Sequence, residues 1–130
     1  MTNPRELLLS WGMVGAYVVL NSFGALAIKQ TVQKIGVADP GSIQATVGLV
    51  IATFVSPLAL LGLLAIGLSA GAWIVALSRM ELSVAYPVAV GLNCLIVVSA
   101  GFGAFGEALS WTKLVGIGLL LCGLVLLFRG

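Results

Sequence analysis

An all-α membrane protein with four transmembrane helices is predicted by three observations. Of the 130 residues, 61% are hydrophobic and only 8% are charged, and the apolar residues fall into long stretches. Soluble domains carry about 25% charged residues, so a chain with a mean hydropathy of +1.22 lies well outside their range. A bilayer crossing takes roughly 20 apolar residues, which leaves room for about four crossings with short connectors. The whole chain, 1–130, is therefore expected to be one transmembrane domain.

The first crossing is expected from about Leu9 to Lys29. The apolar run from Leu7 to Ile28 is longer than the roughly 7 to 15 residues of a signal-peptide core, so it reads as a retained helix. Gly12, Ala16 and Gly24 mark its expected packing face, since small side chains let another backbone approach closely. A polar connector follows from Gln30 through Asp39, Pro40 and Gly41. Proline restricts Asp39 to extended backbone, and Gly41 supplies conformational freedom.

The stretch from Ser42 to Leu77 is too long for one crossing and too short for two with a loop. Pro57 divides it. The main second crossing is expected from about Val55 to Ser78, with Ile43 to Thr53 as an interfacial helix or a kinked extension. Pro57 then falls in a first turn, where its missing N–H costs least. Arg79-Met80-Glu81 forms a short turn before the third crossing, Ser83 to Phe105. After a connector at Glu107 to Leu109, Ser110 caps the fourth, Trp111 to Phe128. Gly67 and Gly71 form a GxxxG pair, and Gly116, Gly118 and Gly123 leave the last helix bare; together they suggest a tightly packed bundle.

An even number of crossings puts Arg5, Arg79 and Arg129 on one side and Lys29, Lys34 and Lys113 on the other. Three basic residues against three give the positive-inside rule almost no vote. Either the protein inserts both ways and pairs with an inverted copy, or a partner, the N-terminal amine or the differing depths of Lys29 and Lys113 decide one orientation. A unit this small hardly encloses a substrate route alone, so a transport role implies dimerisation.

No carboxylate lies near the middle of any crossing; Asn21 and Asn93 occupy central places instead. Amides in hydrocarbon face protein or a polar cavity, either touching a substrate or bonding between helices. Tyr86 is a headgroup donor or a boundary anchor, and Pro87 either fits a first turn or bends the third crossing to open a cavity. Lys29 and Arg79, at crossing ends, suit an anionic headgroup or generic lipid phosphates. Glu81 and Glu107 lie in connectors, where a solvated carboxylate is a poor membrane-centre proton relay; Glu107 can pair with Lys113 or bind a cationic amine. Trp11, Trp73 and Trp111 are anchors or packing residues, with Trp73 deep enough to line a path.

Cys94 and Cys122 read as packing thiols without a disulfide. With no histidine in the chain, no metal site and no cysteine-histidine catalytic pair is expected. No phosphate-gripping glycine loop with lysine is present. The expectation is therefore a non-enzymatic protein without cofactor and without a nucleic-acid partner.

The segment Ala76-Leu77-Ser78-Arg79-Met80-Glu81-Leu82-Ser83-Val84-Ala85-Tyr86-Pro87 resembles the junction of the second and third helices in the drug/metabolite transporter superfamily. With Leu92-Asn93, then Gly106-Glu107-Ala108-Leu109-Ser110 and the glycine-rich last helix, the chain most closely resembles the small flippase subunits that export undecaprenyl-phosphate-linked aminoarabinose. Gly24 and Lys29, after the polar position at Asn21, add a weaker match. The resemblance implies four transmembrane helices and a homodimer or heterodimer with a related small membrane protein. It also implies movement of a lipid-linked sugar to the outer face of a bacterial inner membrane.

In the related small multidrug exporters, the position corresponding to Asn21 is a proton-exchanging glutamate. Asn21 turns the expectation away from proton-for-drug exchange, unless a partner supplies an acid. Glu81 in place of an apolar or proline-like residue, and the Ile43 to Thr53 extension, also depart from the flippase pattern. The lead expectation is flipping of a polyprenyl-phosphate-linked sugar or similar amphiphile, with Asn21, Asn93, Tyr86, Lys29 and Arg79 as substrate contacts. The alternatives are a cation or drug exporter using Glu107, and a structural or assembly subunit of a larger membrane complex.

Overall fold

The computed structural model describes residues 3–36 and 41–130. Five helices follow one another: α1 Pro4–Ile35, α2 Ile43–Val55, α3 Pro57–Leu77, α4 Leu82–Ala104 and α5 Trp111–Arg129. By length and composition, α1, α3, α4 and α5 are each able to cross a membrane, and α2 is shorter. The expected all-helical class with four crossings is present.

Helix α1 begins at Pro4, whose absent N–H is no loss in a first turn. Its 32 residues span about 48 Å at 1.5 Å per residue, well beyond a hydrocarbon core of about 30 Å. The expected end at Lys29 is overrun because nothing in 30–35 breaks a helix. The Thr31 hydroxyl donates to the Ala27 carbonyl at 2.9 Å, and the chain turns only at Gly36, whose φ of 128° favours glycine. The Asp39-Pro40 part of the predicted break lies outside the described residues.

The Ser42 hydroxyl accepts from the Ala45 amide at 3.2 Å and caps α2. Ser56 then adopts extended backbone (φ −67°, ψ 131°), as a residue preceding proline is driven to do. Pro57 opens α3. The division at Pro57 is thus as the sequence predicts, and the second crossing starts at the proline rather than at Val55.

Amides of Arg79 and Met80 both donate to the Ala76 carbonyl at 3.0 Å, closing the tight turn into α4. Pro87 lies inside α4, past the first turn. It has no amide to offer the Ser83 carbonyl, the i−4 acceptor. Helix α5 starts after Ser110, whose hydroxyl accepts from the Lys113 amide at 3.3 Å.

Helix α1 is the centre of the bundle. It packs most extensively on α3, then on α4, while α5 leans on α4. The α1–α3 approach is closest at two glycines. A Cβ on Gly24 would lie 2.5 Å from the Gly62 carbonyl oxygen, and one on Gly62 would lie 2.8 Å from the Gly24 oxygen. Toward the N-terminal end of α1, Val14 and Val18 meet Ala76 and Ala89, with Trp11, Met13, Tyr17, Trp73 and Met80 around them.

Several of the expected packing glycines do not pack within one chain. Gly12, Gly67, Gly71, Gly116, Gly118 and Gly123 have nothing within 4 Å of a built Cβ. Helical geometry accounts for Gly12: the buried positions of α1 are Ser10, Val14, Val18, Ser22, Gly24, Ala27 and Thr31. At 100° per residue, Gly12 stands about 200° from Ser10, on the far side. Helix α5 buries no residue; Leu124 reaches over the bare backbone of Gly91, and Phe128 stacks on Trp11 at 5.5 Å between ring centroids.

Candidate functional site

Three polar or aromatic features follow one another along the bundle, and together they make the candidate site. At mid-depth, the Ser22 hydroxyl of α1 donates to Oδ1 of Asn93 on α4. Ser22 is only 2% exposed, and a buried hydroxyl in an apolar bundle needs such a partner. Asn93 is therefore engaged between helices, and its partner is Ser22 rather than Asn21. Neighbouring residues on a helix point about 100° apart, so Asn21 and Ser22 do not share one face. Asn21 is half-buried, and its side chain makes no hydrogen bond to another described residue.

Nearer the α1 N-terminus, three rings from three helices stand in series. Tyr17 stacks on Trp73 at 4.7 Å between centroids, and Trp73 meets Tyr86 edge-on at 6.2 Å. Tyr86, 56% exposed, faces an open groove of about 660 Å³ that it lines with Trp73, Leu82, Ser83 and Pro87. Pro87 thus leaves a carbonyl without its helical donor on one of the residues lining that groove. Tyr17 is the residue that sequence reasoning missed. Its signal was present: it lies one turn before Asn21, and residues at i and i+4 share a helix face.

At the opposite end, Lys29 Nζ lies 3.4 Å from Glu107 Oε1, with side chains 50% and 47% exposed. It is the only ion pair among the described residues. The expected Glu107–Lys113 pairing is not formed; Lys113 Nζ donates instead to the Ala108 carbonyl at 3.1 Å. The reason is the way α4 ends. The Phe105 amide bonds the Ala100 carbonyl at 3.3 Å and the Glu107 amide bonds the Gly101 carbonyl at 3.0 Å, across Gly106 with its left-handed φ of 64°. This turn folds Glu107 back over Gly101, where a Cβ would lie 2.8 Å from Oε2, and so toward α1.

Arg79 is exposed in the α3–α4 turn, at the other end of the bundle from Lys29. Glu81 is exposed and makes no side-chain cap on α4. Trp111, 80% exposed, stands at the start of α5, whereas Trp11 and Trp73 pack on other rings. Both cysteines are free thiols. No cluster suited to a metal ion occurs among the described residues.

Four membrane-length helices, with a carboxylate-free Ser22–Asn93 contact at mid-depth, define a multi-pass helical membrane protein. No family model matches the chain, and no solved structure matches it. Curated relatives do match. Over 123 residues, 93% of this chain and 98% of the relative, it is 32% identical to the probable 4-amino-4-deoxy-L-arabinose-phosphoundecaprenol flippase subunit ArnE of Pseudomonas aeruginosa. It is 45% identical over 69 residues to the probable subunit ArnF of Erwinia tasmaniensis, a match spanning 52% of this chain and only about half, 54%, of that relative. An uncharacterized protein of Sinorhizobium fredii is 33% identical over 60% of this chain and 67% of its own length. The chain belongs to the family of the ArnE and ArnF small flippase subunits, small members of the drug/metabolite transporter superfamily.

Proposed function

We propose that this chain is a small transporter subunit that moves a polyprenyl-phosphate-linked sugar across a bacterial inner membrane, working as a dimer. The observation that carries the reading is the relationship to ArnE along 93% of the chain. The neutral seam supports it. Carrying a sugar phosphate through hydrocarbon without polar contacts is costly, and Ser22, Asn93 and Asn21 supply amide and hydroxyl groups at mid-depth without adding charge. Tyr86 at its groove contacts the headgroup. Lys29 and Arg79 attract phosphate at the two ends, and the prenyl chain stays in lipid.

The dimer partner is a second copy or a related small subunit. Helix α5 buries nothing within the chain, and its glycines at 116, 118 and 123 are open to close approach. Export of a cation through Glu107 is the weaker reading, because that carboxylate already faces Lys29 at a bundle end.

Reconstitution into vesicles with labelled polyprenyl-phosphate sugars tests the proposal. Movement of the lipid by the wild-type dimer, slowed by Asn93→Ala and Asn21→Ala, is the expected result. A folded dimer that moves no such lipid would overturn the function. Movement unaffected by either substitution would remove the amides from the route.

A further inference from the structure

Glu107 stands where two recesses meet. One, of about 140 Å³, is lined by Lys29, Gly101, Phe105 and Glu107. The other, of about 390 Å³, runs from Glu107 and Lys113 along the apolar side chains of Phe102, Ile117 and Leu120. Both charges are about half-exposed, and an ion pair this open contributes little to stability. Yet the chain commits two glycines to forming it. Gly106 supplies the left-handed turn, and Gly101 leaves the space into which the carboxylate folds.

We infer that Lys29 and Glu107 form a single bipartite headgroup site for an amphiphile that carries both a phosphodiester and a primary ammonium. The inference rests on the lipid-transport reading above and names the headgroup chemistry that this end of the bundle selects. On binding, the phosphate replaces Glu107 at the Lys29 ammonium, and the ligand's ammonium replaces Lys29 at the Glu107 carboxylate. Two salt contacts take the place of one, and the net charge of the site is zero before and after. Each charge of the site then keeps a partner of opposite sign.

Selectivity follows from the same exchange. A headgroup with phosphate alone takes Lys29 and leaves Glu107 facing a second anion, while one with an amine alone leaves Lys29 unpaired. The apolar recess beyond Glu107 accepts the first part of the lipid chain. Both an aminosugar linked to a prenyl phosphate and phosphatidylethanolamine carry this pair of charges, and the experiment separates them.

Binding to the purified full chain in detergent is measured by native mass spectrometry with four probes. These are a short prenyl phosphate bearing an aminopentose, its N-acetylated counterpart, phosphatidylethanolamine and phosphatidylglycerol. One charge-assisted contact corresponds to a preference of about tenfold for the aminated prenyl lipid over the N-acetylated one. Glu107→Gln should abolish that preference while leaving the N-acetylated lipid bound, and Lys29→Gln should weaken both. Equal binding of the aminated and N-acetylated lipids by the wild type overturns the bipartite site and spares the transport reading. That comparison needs no variant, so it decides even where a substitution fails to fold. Glu107-dependent binding of phosphatidylethanolamine without binding of either prenyl lipid upholds the site but overturns the proposed cargo. Binding of no probe overturns both.

Discussion

Replacing Gly24 by alanine should weaken the bundle at its central crossing. The added Cβ would lie 2.5 Å from both the Gly62 carbonyl oxygen and Ile66 Cγ1, about 1 Å short of the ~3.5 Å at which heavy atoms reach favourable contact. Ile66 has rotamers to yield with, but the Gly62 oxygen is backbone, so α1 and α3 must separate. Overpacking of this kind costs about 1–3 kcal/mol. Gly12→Ala is the matched control, because the same methyl group meets nothing within 4 Å. Both variants are compared with the wild type by reversible unfolding in mixed micelles, followed by tryptophan fluorescence. Gly24→Ala should lose about 1–3 kcal/mol, with Gly12→Ala close to wild type. Equal stabilities for the two variants would refute the placement of the α1–α3 crossing at Gly24 and Gly62.

Three further outcomes follow from particular contacts. A double-mutant cycle of Ser22→Ala and Asn93→Ala should return a coupling of about 0.6 kcal/mol, and no more than about 1.7, the range of hydrogen bonds between membrane helices; zero coupling would break the α1–α4 link. Gly91→Ala should cost less than Gly24→Ala on the same unfolding assay, because its added methyl group meets the movable end of Leu124 rather than a backbone. Trp73→Leu removes both ring contacts, each worth about 0.5–1.5 kcal/mol beyond area burial. Its loss on thermal denaturation should therefore exceed that of Trp111→Leu, whose ring is 80% exposed.

Much of the candidate site was legible one residue at a time and illegible as an arrangement. Asn93 stood out because an amide in an apolar run needs a partner, and the partner proved to be Ser22, whose chemistry is common in any helix. Glu107 was visible as an acid in a connector, but Lys113 is nearer in sequence than Lys29. Only the turn across Gly106 and the bare backbone at Gly101 direct the carboxylate to α1. Pro87 allowed either a first-turn place or an interior one, and the start of α4 at Leu82 made it interior.

The sequence by itself determined the number of crossings, the break at Pro57, the cap at Ser110, and the absence of a mid-membrane carboxylate. These are local consequences of hydropathy, proline sterics and side-chain hydrogen bonding within a few residues. The tertiary structure decided which small residues carry the packing. Gly24 and Gly62 meet while Gly12, Gly67 and Gly71 stay open, because the rotational setting of one helix against another depends on every side chain along the contact. It also joined Lys29 to Glu107 and Ser22 to Asn93, pairs separated by tens of residues. In an almost uniformly apolar chain, hydrophobic periodicity gives little sign of which face of a helix turns inward.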